Sequence, residues 1–220
     1  MAARVSFVNN DLVTLKLDEG NSNLAVLDSL AQLQTYALGG VDQIASNLGE
    51  LSVSFTEAQN VSKALMKFAN AEPVTVELSS AGIYDLGLRD SVMQSSATML
   101  SRIGVTQLQS SSGNLSLSAS QIANVTGIGV TGMSATGLHF VDTDSAGEPV
   151  MIAARLGTSA TDIAYVINNA SSLAAAGITQ MSSSTGTLAL TTSQISSLIE
   201  NAGNTLAIAA DTTVTLQLNN

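Results

Sequence analysis

Two carboxylates at alternate places in a short loop closed by glycine are the residues of this chain whose spacing most resembles a binding site. Asp142-Thr-Asp144-Ser-Ala-Gly147-Glu148 places its acids as the start of a calcium loop does. The fifth place is Ala146, and the place of the closing bidentate acid, eleven residues after Asp142, is Ala153. Two readings stay open: a solvated turn in which Asp and Gly serve the backbone, and a weak calcium site with Asp142, Asp144 and Glu148 as ligands. The corresponding loops Leu17-Asp-Glu-Gly20 and Leu78-Ser-Ser-Ala-Gly82 do not repeat the acids, which favours the turn.

His139 is the sole histidine. It alternates with Leu138 and Phe140, so on a strand it points to the opposite face from both. A zinc site would need ligands other than Cys or a second His, and the chain has neither. A Ser-His-Asp arrangement can be assembled on paper from His139 and Asp142, but no G-x-S-x-G nucleophile elbow is present. Asp18-Glu19 falls in a turn and Glu72 precedes Pro73, so neither marks the paired acids of a glycosidase. Met66, Met93, Met99, Met133, Met151 and Met181 occupy apolar positions and read as core filling. Lys63 and Lys67, four apart on one helix, read as a solvated face. On these grounds the chain is expected not to be an enzyme, and no catalytic residue is assigned.

The elements that carry these residues recur. A strand phrase appears as Leu12-Val-Thr-Leu-Lys-Leu, Val74-Thr-Val-Glu-Leu, Leu138-His-Phe-Val-Asp and Val214-Thr-Leu-Gln-Leu. Each alternates apolar and polar residues, the period of a half-buried strand. A second phrase aligns without a gap: Gly40-Val-Asp-Gln43 to Gly49-Glu-Leu51, Gly104-Val-Thr-Gln107 to Gly113-Asn-Leu115, and Gly177-Ile-Thr-Gln180 to Gly186-Thr-Leu188. Ser46, Ser110 and Ser183 also fall in register. The first Gly suits a left-handed helix C-terminus. The second Gly, with Ser110-Ser-Ser112 or Ser182-Ser-Ser-Thr185 beside it, predicts strand, tight turn, strand. Thr56, Ser120 and Ser193 then serve as N-caps.

Each unit of roughly 65 residues therefore reads strand, helix, strand, strand, helix. The first helices are expected over 23–37, 90–102 and 160–175. In the first of them Leu24, Leu27, Leu30 and Leu33 form an apolar stripe. The second helix is expected over 57–70, with Val61, Ala64, Leu65 and Phe68 on one face. Its next copy, crowded by Gly127, Gly129 and Gly132, is expected to be one turn. The repeats divide the chain as 1–78, 79–142 and 143–220, the last ending in the first strand of a further unit. One such unit cannot bury its own apolar surface. The expected fold is α/β, with the units stacked as a solenoid-like array; a doubly wound sheet is the rival.

Composition narrows the partners. Forty-five per cent of the 220 residues are hydrophobic, yet no apolar run reaches membrane-spanning length. A formal charge of −10 repels nucleic acids and anionic membranes. There is no Cys and no Trp, so no disulfide framework and no rigid aromatic platform.

Asn23-Leu-Ala-Val-Leu-Asp28 ahead of Gly40-Val-Asp-Gln43, followed by Leu51-Ser-Val-Ser-Phe-Thr56-Glu-Ala-Gln59, resembles the tandem repeats of very large secreted bacterial proteins. These are haemolysin-type and adhesin-like proteins, often exported by type I secretion. The likeness covers most of residues 10–220. It implies a structural module of a bacterial surface layer, fibre or adhesin, located outside the cell or at its surface. Its partners would be copies of itself or neighbouring repeats. The alternative it implies is a calcium- or glycan-binding adhesin module, with calcium as the one cofactor in view and surface glycans as ligands. The glycine-rich calcium nonapeptide of haemolysins is absent.

Overall fold

A computed structural model describes residues 12–17, 21–47, 49–69, 73–79, 90–201 and 206–217. In chain order the elements begin with β1 (Thr14–Leu17), α1 (Asn21–Asp28), α2 (Leu30–Leu38) and β2 (Gln43–Ser46). There follow β3 (Leu51–Ser54), α3 (Phe55–Lys63), β4 (Lys67–Phe68), β5 (Val74–Leu78), α4 (Asp90–Arg102) and β6 (Gln107–Ser110). Next come β7 (Leu115–Ser118), α5 (Ala119–Thr126), β8 (His139–Asp144), β9 (Ile152–Leu156), α6 (Ala160–Asn168) and α7 (Ala170–Ala175). The chain closes with β10 (Gln180–Ser183), β11 (Thr187–Thr191), α8 (Thr192–Asn201), β12 (Ala207–Ile208) and β13 (Thr213–Gln217).

The named strands form four sheets, ordered β1-β2-β4, β3-β5-β6-β8, β7-β9-β10-β12 and β11-β13. Every pairing among these strands is parallel. This corrects the fold expected from the sequence. The strands flanking Gly49, Gly113 and Gly186 never pair with each other: β2 and β3, β6 and β7, and β10 and β11 lie in different sheets. A unit of strand, helix, strand, strand, helix is therefore not closed on itself, and the solenoid-like array of such units gives way to a mixed α/β structure. The physical reason is the direction of the corner. Gly49, Gly113 and Gly186 hold φ of +84°, +69° and +79°, and there the chain leaves one sheet to join the next. Ser183 supports its corner: its hydroxyl donates to the Thr187 carbonyl (2.7 Å) and accepts from the Thr185 N–H (3.1 Å).

Parallel neighbours need a crossover, and the helices supply it. α1 with α2 joins β1 to adjacent β2, α4 joins β5 to β6, and α6 with α7 joins β9 to β10. α3, α5 and α8 instead carry the chain between sheets. The helices pack in a row, α1 and α2 on α3, then α4, α5, α6 with α7, and α8. One continuous apolar core runs from Leu17 to Leu206. Alternation holds in the half-buried strands: Val74, Val76 and Leu78 are buried while Thr75 and Glu77 are partly exposed.

The crossover helices end as the first conserved-in-phrase glycine requires. Gly40, Gly104 and Gly177 have φ of +95°, +91° and +88°. The N–H groups of Val41, Val105 and Ile178 reach back to the carbonyls of Tyr36, Leu100 and Leu173 at 3.0, 3.0 and 2.9 Å. The glycine N–H groups bond Ala37, Ser101 and Ala174, which completes a Schellman motif each time. Val105 and Ile178 then enter the core, so the cap also aims the next strand.

Four expectations for the helices change. The N-caps of α3 and α5 are Ser54 and Ser118, two residues before Thr56 and Ser120. Each forms a capping box, with Glu57 or Gln121 returning to the cap N–H at 2.6 or 2.8 Å. Thr191 and Gln194 make the same pair of bonds at α8, in place of Ser193. The helix expected over 57–70 stops at Lys63, because Leu65, at φ +61°, forms a fourth such cap with Met66 N–H on the Val61 carbonyl. α5 is eight residues rather than one turn, since Gly127 ends it instead of interrupting it. The first helix breaks at Ser29, where the buried Asn60 amide donates to the carbonyls of Leu27 and Asp28 at 3.0 and 3.2 Å.

A Cβ at Gly177 would collide with the Phe140 backbone, whereas one at Gly186 meets nothing within 4 Å. Gly186→Ala should therefore cost only the left-handed strain, about 1 kcal/mol, and Gly177→Ala clearly more than about 2 kcal/mol, in urea unfolding. Equal losses would show that the Phe140 contact yields freely. Burial raises the pKa of Tyr165, against a lowering hydrogen bond with Thr126. A folded-state pKa above the unfolded value of 10.0 means that stability is whole below pH 10 and falls as pH rises toward the folded-state value. Tyr165→Phe should flatten that alkaline loss in denaturation curves taken across it.

Candidate functional site

The loop singled out for its acids is a tight turn between β8 and β9. Thr143 bridges antiparallel to Pro149, and the Asp144 N–H bonds the Glu148 carbonyl at 2.8 Å. Gly147 takes φ +81°, where nothing crowds it. Asp144 is buried and turned inward: its Oδ1 accepts from the N–H groups of Ala146 (3.0 Å) and Glu148 (2.9 Å). Asp142 and Glu148 are exposed. The structure thus brings the three residues into one turn but gives Asp144 to the backbone. Among the described residues, no group of three His, Cys, Asp or Glu side chains is placed to hold a metal ion.

His139 sits half-buried on β8, paired in register with Gln107, while Leu138 and Phe140 are buried on the other face. Among the described residues no hydrogen bond joins the His139 and Asp142 side chains. Asp18, Glu19 and Glu72 lie outside the described residues. Met66 and Met181 are buried and Met99 packs partly against the core, but Met151 is exposed.

Two features escaped the sequence reading. The first is an open edge. Among the described residues β13 pairs only with β11, and all five of its residues are exposed. In register, Leu188 faces Val214 and Leu190 faces Leu216. The two leucines of β11 are buried, while Val214 and Leu216 are 39% and 50% exposed. The apolar rows of the core thus run out uncovered. Ile199, on the adjoining α8, is also exposed.

The second feature is a groove where the ends of α2, α3 and α4 meet. Two adjoining cavities of about 400 and 410 Å³ share Asp42 and Leu65 in their walls. Leu65 had been assigned to the buried face with Val61, yet it is 92% exposed. The signal was available: Leu65 stands where the other caps carry Gly40, Gly104 and Gly177.

No family model and no curated protein matches the chain. A crystal structure assigned to the lyase/mutase class, from Burkholderia cenocepacia J2315, aligns with 90% of this chain and 69% of its own, at 9% identity and a TM-score of 0.25. The expectation that the chain is no enzyme is accordingly withdrawn, with no activity put in its place. So distant a likeness supplies no argument for an activity or for a fold family.

Asp144→Ala leaves two turn N–H groups without their acceptor and should cost about 1–3 kcal/mol, while Asp144→Asn keeps an acceptor and costs less. Melting temperature should not respond to millimolar calcium. A rise in wild type that Asp144→Asn abolishes would restore the calcium reading.

Proposed function

We propose that this chain is a protein–protein assembly module, extending by addition of a strand from a second copy to the open edge of β13. The observation that carries the reading is the uncovered continuation of the Leu188 and Leu190 rows by Val214 and Leu216. The Thr213 N–H is used by the Gly186 carbonyl at 2.8 Å. Bonds alternate along a parallel ladder, so the Val214 and Leu216 N–H groups face the open side. Strand addition satisfies such groups and buries the apolar pair together. At the other end of the molecule, β1 pairs only with β2 among the described residues. A head-to-tail joint between these edges does not use the same surface twice, so it propagates instead of closing as a dimer. The likeness of the repeated phrases to those of large secreted bacterial proteins supports an extracellular surface as the setting.

Sedimentation velocity over a range of protein concentrations tests the reading. Wild type should grow into longer species. Leu216→Lys should weaken growth at least about tenfold while changing stability by no more than about 0.5 kcal/mol, as for an exposed site. Growth unaffected by Leu216→Lys would sink the proposal.

A further inference from the structure

The groove at the ends of α2, α3 and α4 gathers costs that the fold itself does not need. Leu65 holds a left-handed backbone that L side chains avoid, at the place where three sister caps use glycine. It is also among the most exposed large apolar residues described, with Leu38 at 90% and Leu12 at 66% beside it. Around these leucines stand Lys63, Lys67 and Arg102, three of only seven cations in a chain of net charge −10. The one acid among the described residues of the walls, Asp42, is already engaged: its Oδ2 accepts the Val13 N–H at 2.9 Å. An apolar ridge ringed by cations fits an apolar segment that carries carboxylates.

We propose that the groove is the acceptor for the last turn of α8 from a second copy, where Ile199, 72% exposed, adjoins the exposed Glu200. This rests on the assembly reading above and names the second half of its joint. The geometry that points to α8 is the order of the helices. α2, α3 and α4 all bring their C-terminal ends to the groove, so neighbouring helices of the row finish on one side. Leu12, just ahead of β1, lies in the same wall. A copy whose β13 edge meets β1 sets its α8 beside the first helices of the row, and the last turn of that helix arrives at Leu38, Lys63 and Leu65. Ile199 covers the leucine ridge and Glu200 faces Lys63.

The test is sedimentation velocity on the full chain with Leu65→Gly, Lys63→Glu, Glu200→Lys, the double variant Lys63→Glu with Glu200→Lys, and Leu216→Lys alongside. Leu65→Gly should weaken association at least tenfold while melting at or above the wild-type temperature, since it relieves the strained cap; a loss of assembly then cannot be a loss of folding. Each single charge reversal should weaken association several-fold, and the double reversal should recover most of it. Wild-type association by Leu65→Gly, or a double reversal no better than the singles, overturns the groove. If Leu216→Lys blocks assembly in that case, the β13 edge survives without it. If Leu65→Gly blocks assembly and Leu216→Lys does not, the edge is wrong and the groove stands. A wild-type monomer at every concentration overturns both.

Discussion

Parallel pairing is the constraint from which the other features follow. Two parallel strands cannot be joined by a tight turn, so the hydrogen bonds between paired strands must wait for the chain to travel out and back. Thr14 meets Gln43, Thr75 meets Gln107 and Ala153 meets Gln180 only after a helix has intervened. The helix in turn must stop cleanly, reverse the chain and deliver an apolar residue to the core. The glycine caps do this three times with the same bonds, and the buried Val105 and Ile178 show where the stabilisation comes from. A cap that failed would not only fray a helix; it would shift the register of the next strand and turn its apolar face outward.

The same constraint explains why the molecule has ends of two kinds. Inside the sheets, strands such as β5 and β9 have neighbours on both sides and bury alternate residues fully. At β13 the pattern of residues is unchanged but the second neighbour is missing among the described residues. Val214 and Leu216 are therefore exposed because of their place in the order, not because of their chemistry. Natural sheet edges are commonly blunted with charge or proline. β13 carries neither.

How much of this was legible in the sequence depends on how far away each partner lies. Features settled within a turn of chain read well: the 13-residue α4 falls where 90–102 predicted it, and the left-handed glycines after α2, α4 and α7 were marked by their alignment. Features settled by distant partners did not. Gly49, Gly113 and Gly186 look locally like hairpin turns, and only the pairing of β3 with β5, or β7 with β9, shows them to be corners between sheets. The break at Ser29 depends on Asn60, over thirty residues away. The N-caps were missed by two residues for a different reason. Runs such as Ser54-Phe-Thr56-Glu57 offer two hydroxyls, and only the reciprocal spacing to Glu57 selects Ser54. In the acidic loop the residue types were right for a cation, but burial of Asp144 and its two backbone donors commit that carboxylate to the turn.

Leu65 is where local and global preference part most clearly. At Gly40, Gly104 and Gly177 the residue preferred by the backbone is the residue present, and for Gly177 nothing else would fit against Phe140. At Leu65 glycine would serve the cap better, and leucine gains nothing from burial, since it is almost fully exposed. That a side chain is both unfavourable to the backbone and unused by the core is the observation on which the proposed contact between copies rests. The cations concentrated beside it are why the proposed partner segment is an acidic one. In a chain this acidic, long-range repulsion opposes association, so contact between copies requires a surface where the charge is locally reversed. The groove around Leu65 provides such a surface, next to the strand that begins the first sheet.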